Sequence, residues 1–532
     1  MIMSYTIGVD FGTQSARAVV ICARTGRILS EGEFSYSHYQ GHLPDGTEIP
    51  EEMVLADPRQ YANALVECVR AAVKNVDVSG IAGIAVDATS LTLVATDALG
   101  QPMCMHSRWA SQPDAWIKLW KSHSAKAQAA RIWSVARDTR HPMLSQSGGT
   151  ISDEWAFPKM LETFDRSPEL FREIDTFWDL CDWLTFLLCG NKTRSQGSMC
   201  NKFHYDGKAF PDKMFWDRVR PGFGTAVREK LDGRCVTWGQ TAGLLLPEMA
   251  KAMGIPSGIP VAAGSLDGHI AMPFLGLSWD GDAMLTIGTS TVCAVLSNVT
   301  YPVKGICGSG SDAMIPGLNA FDSGQCSVGD TFQWFVENQV PERYYRLARK
   351  ERCSIHTLLS RLAFSRIPDI HDPVALDWWN GNRCPRGDLS LRGAIYGLSL
   401  STKPEDVYRC LVESTAFGIK NILDNFEAQG VTIRRLRACG GIAQKNPWLM
   451  QCYADVLNLT IEVSPQPNAA AIGAAITATV GAGIYPTLEE AMGVLSEKNY
   501  TCYTPRPFYT QIYTARYTHY RKMDVFFGEK FW

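Results

Sequence analysis

The chain has 532 residues, more than one hydrophobic core of ordinary size organises, so two large domains are expected. Apolar residues at 46% and charged residues at 20% exclude a disordered or fibrous chain, and a formal net charge of -3 gives no bulk attraction for nucleic acid or an anionic membrane. The 16 cysteines show no Cys-x-x-Cys pair and no zinc-type spacing with histidine, which is the usage of reduced core thiols.

The start, Met1-Ile2-Met3-Ser4, reaches Asp10 without the basic segment and long apolar core of a secretory signal, so a cytoplasmic location is expected. Residues 5–9 are apolar and β-prone, break at Asp10-Phe11-Gly12-Thr13 and resume at 16–22, the pattern of a hairpin with a Gly-Thr turn. Asp57-Pro58 opens a helix on which Tyr61, Leu65, Val69, Ala72 and Val76 share a face, and residues 81–86 read as a strand. The same order returns at 283–296, where strand, Gly288-Thr289-Ser290-Thr291 and strand follow one another. Thr402-Lys403-Pro404-Glu405 has the form of a capping box opening a helix to about 428, and 435–438 is a short strand running into Gly440-Gly441. Residues 469–482 read as a helix of small residues packed closely against a neighbour, and the apolar stretch 469–485 is too short and too weakly apolar to span a bilayer. The last stretch, 505–532, is expected to be a packing helix.

Two Gly-Thr hairpin turns half a chain apart predict a duplicated α/β architecture, each half presenting one turn to a shared cleft. A glycine admits close backbone approach and a threonine supplies a hydroxyl, which together suit a polyphosphate; alone, each turn is equally a plain hairpin. Asp10, two residues before Gly12, is placed to hold Mg²⁺ through water. Gly440-Gly441 at a strand end, ahead of a helix near Pro447, offers bare backbone to an adenine or an α-phosphate.

These three segments in this order resemble the nucleotide site of the FGGY carbohydrate kinases, a family in the superfamily of actin, hexokinase and the heat-shock chaperone ATPases. The first motif is Ile7-Gly8-Val9-Asp10-Phe11-Gly12-Thr13-Gln14-Ser15, the second Leu285-Thr286-Ile287-Gly288-Thr289-Ser290-Thr291, and the third Cys439-Gly440-Gly441 with Asn446-Pro447. The resemblance runs from about residue 5 to 485. It implies an α/β, two-lobed actin-like fold with a duplicated ribonuclease-H-like core and an interlobe cleft, divided into lobes 1–276 and 277–532. It implies ATP bound by Gly12, Thr13, Gln14, Gly288, Thr289, Ser290, Gly440, Gly441 and Asn446, with Mg²⁺ near Asp10. It also assigns the catalytic base to Asp267 in Gly264-Ser265-Leu266-Asp267-Gly268-His269, where the residue read by itself is as well a helix N-cap. His269 is read as packing or substrate shell.

Segments outside the nucleotide motifs, among them Leu376-Asp377-Trp378-Trp379-Asn380-Gly381, resemble the ribulose-phosphorylating members of that family. In that group a lysine reaches the sugar, matched by Lys202, and a Glu-x-Gly-Gln segment is matched by Asp322-Ser323-Gly324-Gln325, with a carboxylate one methylene shorter and about 1.5 Å less reach. Ser122 and Ser124 also depart from the residues many relatives carry. Trp120 is a further candidate for the sugar face. The expected reaction is ATP-dependent phosphorylation of a ketopentose, L-ribulose first, with D-ribulose, xylulose, a pentitol or glycerol as alternatives, and with an ATP-binding assembly or chaperone protein as the non-enzymatic rival. The oligomeric state is left open, a homodimer included.

Overall fold

The structure is a computed structural model and describes residues 4–530. Residues 1–3, where the secretory pattern is lacking, and the last two of the expected C-terminal helix, Phe531 and Trp532, lie outside the described residues. Two compact units divide the chain, and neither is continuous in sequence. Unit 1 holds residues 1–278, 308–320 and 468–497; unit 2 holds 279–307, 321–467 and 498–532. The second half of the sequence is therefore not one body. Among the described residues no helix is long and apolar enough to cross a membrane.

Unit 1 is built on β1 (Tyr5–Phe11), β2 (Ser15–Cys22), β3 (Ile28–Ser35), α1 (Pro58–Val73), β4 (Ile81–Ala88), β5 (Thr241–Leu244) and β6 (Pro260–Ala262). The strands run in the order β5-β6-β4-β1-β2-β3, with β7 (Ser265–Leu266) also paired to β4. β1 lies antiparallel to β2 and parallel to β4, in a register that sets Asp10 opposite Asp87. Asp57 caps α1 by accepting the Arg59 N–H at 2.9 Å, Pro58 takes the first turn, and Tyr61, Leu65 and Val69 face the same core as Ile7, Val9 and Phe11.

The other face of β1, carrying Thr6, Gly8 and Asp10, receives the helix Ala469–Gly481. Thr6 Oγ1 donates to the Ala475 carbonyl at 2.8 Å, and a Cβ on Gly8 would stand 1.9 Å from the Ala471 carbonyl oxygen. Only glycine on the strand and small residues on the helix permit that approach. The small-residue helix thus finds its partner in β1 and β4, which is why it belongs with the first half of the chain.

Unit 2 repeats the plan. β8 (Asp282–Ile287) is antiparallel to β9 (Thr291–Ser297) and parallel to β11 (Arg435–Cys439), and the sheet runs β10 (Asn319–Gln325), β9, β8, β11, β12 (Ile461–Val463), β13 (Thr501–Tyr503). Its helices include α2 (Gly329–Gln339), α3 (Ile355–Ala363), α4 (Pro404–Ala428), α5 (Gly441–Lys445), α6 (Pro447–Leu457) and α7 (Pro507–Lys530). Pro404 opens α4, with the Asp406 carboxylate accepting the Lys403 N–H at 3.0 Å. α7 is a packing helix with charged contacts: Arg516, fully buried, pairs with the buried Glu413 of α4 and donates to the carbonyls of Asp369, Asp372 and Pro373. Arg409 holds the other side of Glu413 at 2.7 Å, so both lone-pair faces of a buried carboxylate are met.

Candidate functional site

In unit 1 the pairing of β1 with β4 brings two carboxylates side by side at the strand ends. Asp10 is 8% exposed and Asp87 is fully buried. No protein N–H or O–H reaches either oxygen of Asp87, and the side chain it does meet is the Asp10 carboxyl. Burial first, then the charge of Asp10, holds the Asp87 carboxyl well above the usual carboxylate range; burial also raises Asp10, against the opposing effect of Asp87 and Arg17. A close pair of carboxyls with unanswered oxygens fits a divalent cation. Among the described residues no group of three or more His, Cys, Asp or Glu is arranged to hold a metal, so such a cation would complete its shell with water and ligand oxygens, as Mg²⁺ commonly does.

Asp267 follows β7. Its N–H donates to the Ala88 carbonyl at 3.0 Å, which ties it to the end of β4, and its Oδ1 accepts the Gly268 N–H at 2.7 Å. The short helix that follows, Ala271–Phe274, is capped at Ile270 without a side-chain bond, so Asp267 is not its N-cap. Burial, then the charge of Asp10, pushes the Asp267 carboxyl up to about 7, while the Gly268 N–H, Lys202 and the Ser90 N–H oppose the shift. Lys202, 7% exposed, ends the helix Gln196–Lys202 and contributes its charge to this cluster. Asp10, Asp87, Asp267 and Lys202 therefore act on one another within unit 1. His269 is buried.

The first Gly-Thr turn is closed by Gly12 N–H to the Ser15 carbonyl at 3.0 Å, Tyr36 O–H bonds the Gly12 carbonyl at 2.5 Å, and the His38 ring contacts the Thr13 carbonyl. Trp120 donates its indole N–H to Thr13 Oγ1 at 3.3 Å, which attaches it to the turn. Thr13 accepts there, so its own O–H is left to point to another acceptor. Gln14 is exposed and its carbonyl receives the Tyr36 N–H at 3.0 Å.

The second turn, in unit 2, has the same closure: Gly288 N–H to the Ser290 carbonyl at 2.9 Å. The Thr289 carbonyl accepts Val328 N–H at 2.7 Å and the Gly288 carbonyl accepts Gly329 N–H at 3.1 Å, which sets the start of α2 beside the turn. Gly440 adopts a φ of 100°, and a Cβ there would come 2.5 Å from the Ile287 carbonyl oxygen. Gly441 opens α5 with nothing within 4 Å of where a Cβ would be. Asn446 caps α6, its Oδ1 accepting Leu449 N–H at 3.0 Å. Gly288, Thr289, Gly441 and Asn446 line one cavity of about 560 Å³ with Phe332, Gln333, His356, Ser360, Tyr408, Ile442 and Trp448. That is the size of a small-molecule site.

The expected sugar contacts on β10 behave differently from each other. Asp322 is buried, with its carbonyl accepting Cys307 N–H at 2.7 Å. Gln325 commits its amide nitrogen to Asp377 Oδ2 at 2.7 Å and the Thr415 carbonyl at 3.0 Å, and Tyr520 of α7 bonds the other Asp377 oxygen at 2.7 Å. Gln325 is thus a strut inside unit 2. Sequence reasoning passed over Asp87, whose only signal is an acid closing an apolar strand, and over Gln333, His356, Ser360 and Tyr408, whose spacing carries no motif.

Residues 5–273 match the N-terminal domain of the FGGY family of carbohydrate kinases, and residues 283–482 match the C-terminal domain of the same family. The ribulokinase of Bacillus licheniformis is 36% identical over 526 residues, 97% of this chain and 95% of the relative. That of Halalkalibacterium halodurans is 36% identical over 538 residues, 99% of this chain and 96% of the relative. Among solved structures, the ligand-bound xylulose kinase of Lactobacillus acidophilus aligns with a TM-score of 0.80 at 16% identity, covering 99% of each chain, a likeness of fold alone.

Proposed function

Because the chain belongs to the FGGY family of carbohydrate kinases, with a sugar and ATP as its substrates, we propose that it transfers the γ-phosphoryl group of ATP to the terminal hydroxyl of L-ribulose, giving L-ribulose 5-phosphate. The choice of sugar rests on likeness along almost the whole chain to proteins named ribulokinase. The same fold also serves xylulose kinases, so D-ribulose, xylulose and the polyols are the competing acceptors.

The observation that carries the chemistry is Asp267, a carboxylate at a strand end with its pKa near neutrality, within the field of Lys202. A general base works best when its pKa is close to the operating pH, and Asp267 accepts the proton of the sugar hydroxyl as that oxygen attacks phosphorus. Lys202 donates to sugar hydroxyls and Asp322 accepts from them. The hydroxyls and amides of Thr13 and Thr289 donate to the phosphate oxygens, and Gly440 and Gly441 give the nucleoside bare backbone to lie against. Asp10 and Asp87 hold Mg²⁺, which when bound neutralises charge on the phosphates.

The deciding measurement is sugar-dependent ADP release across L-ribulose, D-ribulose, D-xylulose, ribitol and glycerol, with kcat/KM compared. L-ribulose is expected to lead, and a higher kcat/KM for another acceptor reassigns the substrate. ADP release that ignores every sugar favours an ATP-binding assembly protein instead. Asp267→Asn is expected to lower kcat by about 10²- to 10⁴-fold with the ATP affinity intact, since an amide takes no proton. Near-normal turnover in that variant removes Asp267 from the role.

A further inference from the structure

One wall of the unit 2 cavity carries a run of hydrogen bonds whose direction is set at both ends. Asn446 receives the Leu449 N–H on Oδ1, so its Nδ2 is the group that faces Ser360 Oγ, at 3.4 Å. Ser360 hydrogen-bonds Tyr408. Tyr408 Oη lies 3.2 Å from His356 Nδ1, and His356 Nε2 lies 3.2 Å from Gln333 Oε1. At the far end Gln333 Nε2 donates to the Glu337 carboxylate, one turn along α2.

The inventory of donors leaves one solution. An ionised carboxylate only accepts, so Gln333 turns its NH₂ to Glu337 and its Oε1 to the ring. The ring then carries its proton on Nε2, and Nδ1 accepts from the Tyr408 hydroxyl. This needs a neutral imidazole, and burial does lower the His356 pKa. The amide of Gln333 is thereby held in one orientation, although the residue itself is exposed.

Each half of that amide keeps one free valence, a lone pair on Oε1 and a hydrogen on Nε2. An oriented primary amide is the complement of adenine, whose exocyclic amine donates beside a ring nitrogen that accepts. Guanine and hypoxanthine place a carbonyl oxygen where adenine has the amine, and it would face Oε1 acceptor to acceptor. Phe332 and Ile442 line the same cavity and supply apolar surface for the ring faces.

We propose that Gln333 reads the polar edge of the nucleobase and selects adenine over 6-oxopurines, and that His356 is the positioning residue that holds the amide in the selecting orientation. This assignment rests on reading the unit 2 cavity as the nucleoside half of the kinase site.

The test is calorimetric titration of the full-length chain with ADP, GDP and IDP in the absence of sugar, so that binding is read apart from turnover. The wild type is expected to prefer ADP over GDP and IDP by about tenfold or more, the discrimination a bidentate amide gives. Gln333→Ala should bring that ratio close to one. His356→Ala frees the amide to turn over and should raise GDP affinity while ADP affinity falls, and His356→Gln, which again offers a donor toward Gln333, should restore part of the ratio. A ratio unmoved in both alanine variants, at unchanged thermal midpoint, overturns the assignment and leaves the kinase reading standing. Absence of binding by any of the three nucleotides to the wild type overturns both.

Discussion

At the scale of single residues, the acid cluster of unit 1 sets two pH effects of opposite sense. Asp267 works as a base only when ionised, and its carboxyl stands near 7 instead of the ordinary 3.8. Under this reading kcat/KM rises with unit slope up to about pH 7 and then levels, and the residual rate of Asp267→Asn lacks that limb; a wild-type profile flat from pH 5 to 8 counts against the base assignment. Stability runs the other way. A carboxyl whose folded value is raised stabilises fully below its unfolded value, and that contribution is lost as pH climbs through the folded value. Asp87, also raised, shares this cost. Asp87→Asn is therefore expected to raise the melting temperature of the nucleotide-free protein at pH 8 by a few degrees, less at pH 5, and to weaken the dependence of rate on Mg²⁺. Equal melting temperatures at both pH values contradict the paired-acid account. Asp10 and Asp267 were legible in sequence because each sits in a motif whose order along the chain repeats that of a known family. Asp87 was not legible, because its meaning comes from the register β1 takes against β4, and register leaves no trace in a single strand.

At the scale of elements, the glycines separate packing from binding. Gly8 faces the Ala471 carbonyl so closely that Gly8→Ala forces strand and helix apart, a change on the order of 3 kcal/mol or more that should appear as insoluble or early-melting protein. Gly441→Ala adds a methyl into open space, so its melting temperature should match the wild type while the KM for ATP rises, the methyl standing where the nucleoside is proposed to lie. If Gly441→Ala leaves that KM unchanged, Gly441 does not border the bound nucleotide. The two hairpins, the capped α1 and the long α4 were readable from local patterns, since alternation, an Asp-Pro start and a Lys-Pro-Glu start each act over a few residues. Gln325 was misjudged as open to a ligand because its partners, Asp377 and Thr415, lie 52 and 90 residues away.

At the scale of the whole molecule, α7 is where integrity of unit 2 can be broken remotely. Glu413 is buried between Arg409 and Arg516, so Arg516→Met leaves a partly compensated charge and should cost about 3–5 kcal/mol. The double variant Arg516→Met with Glu413→Met should recover much of that, and a double variant as unstable as the single one shows that packing, not charge, is at stake. The sequence disclosed that two α/β bodies exist, through the repeated strand, turn and strand. It did not disclose which segment belongs to which body, because the bond from Thr6 to the Ala475 carbonyl joins residues 469 positions apart. That separation also orders events during synthesis. Until the ribosome has released the stretch 469–481, the nascent first unit lacks the cover for one side of its central strand, so it waits unfinished while nearly nine-tenths of the polypeptide is made, and a message truncated before that point yields a product fit for proteases.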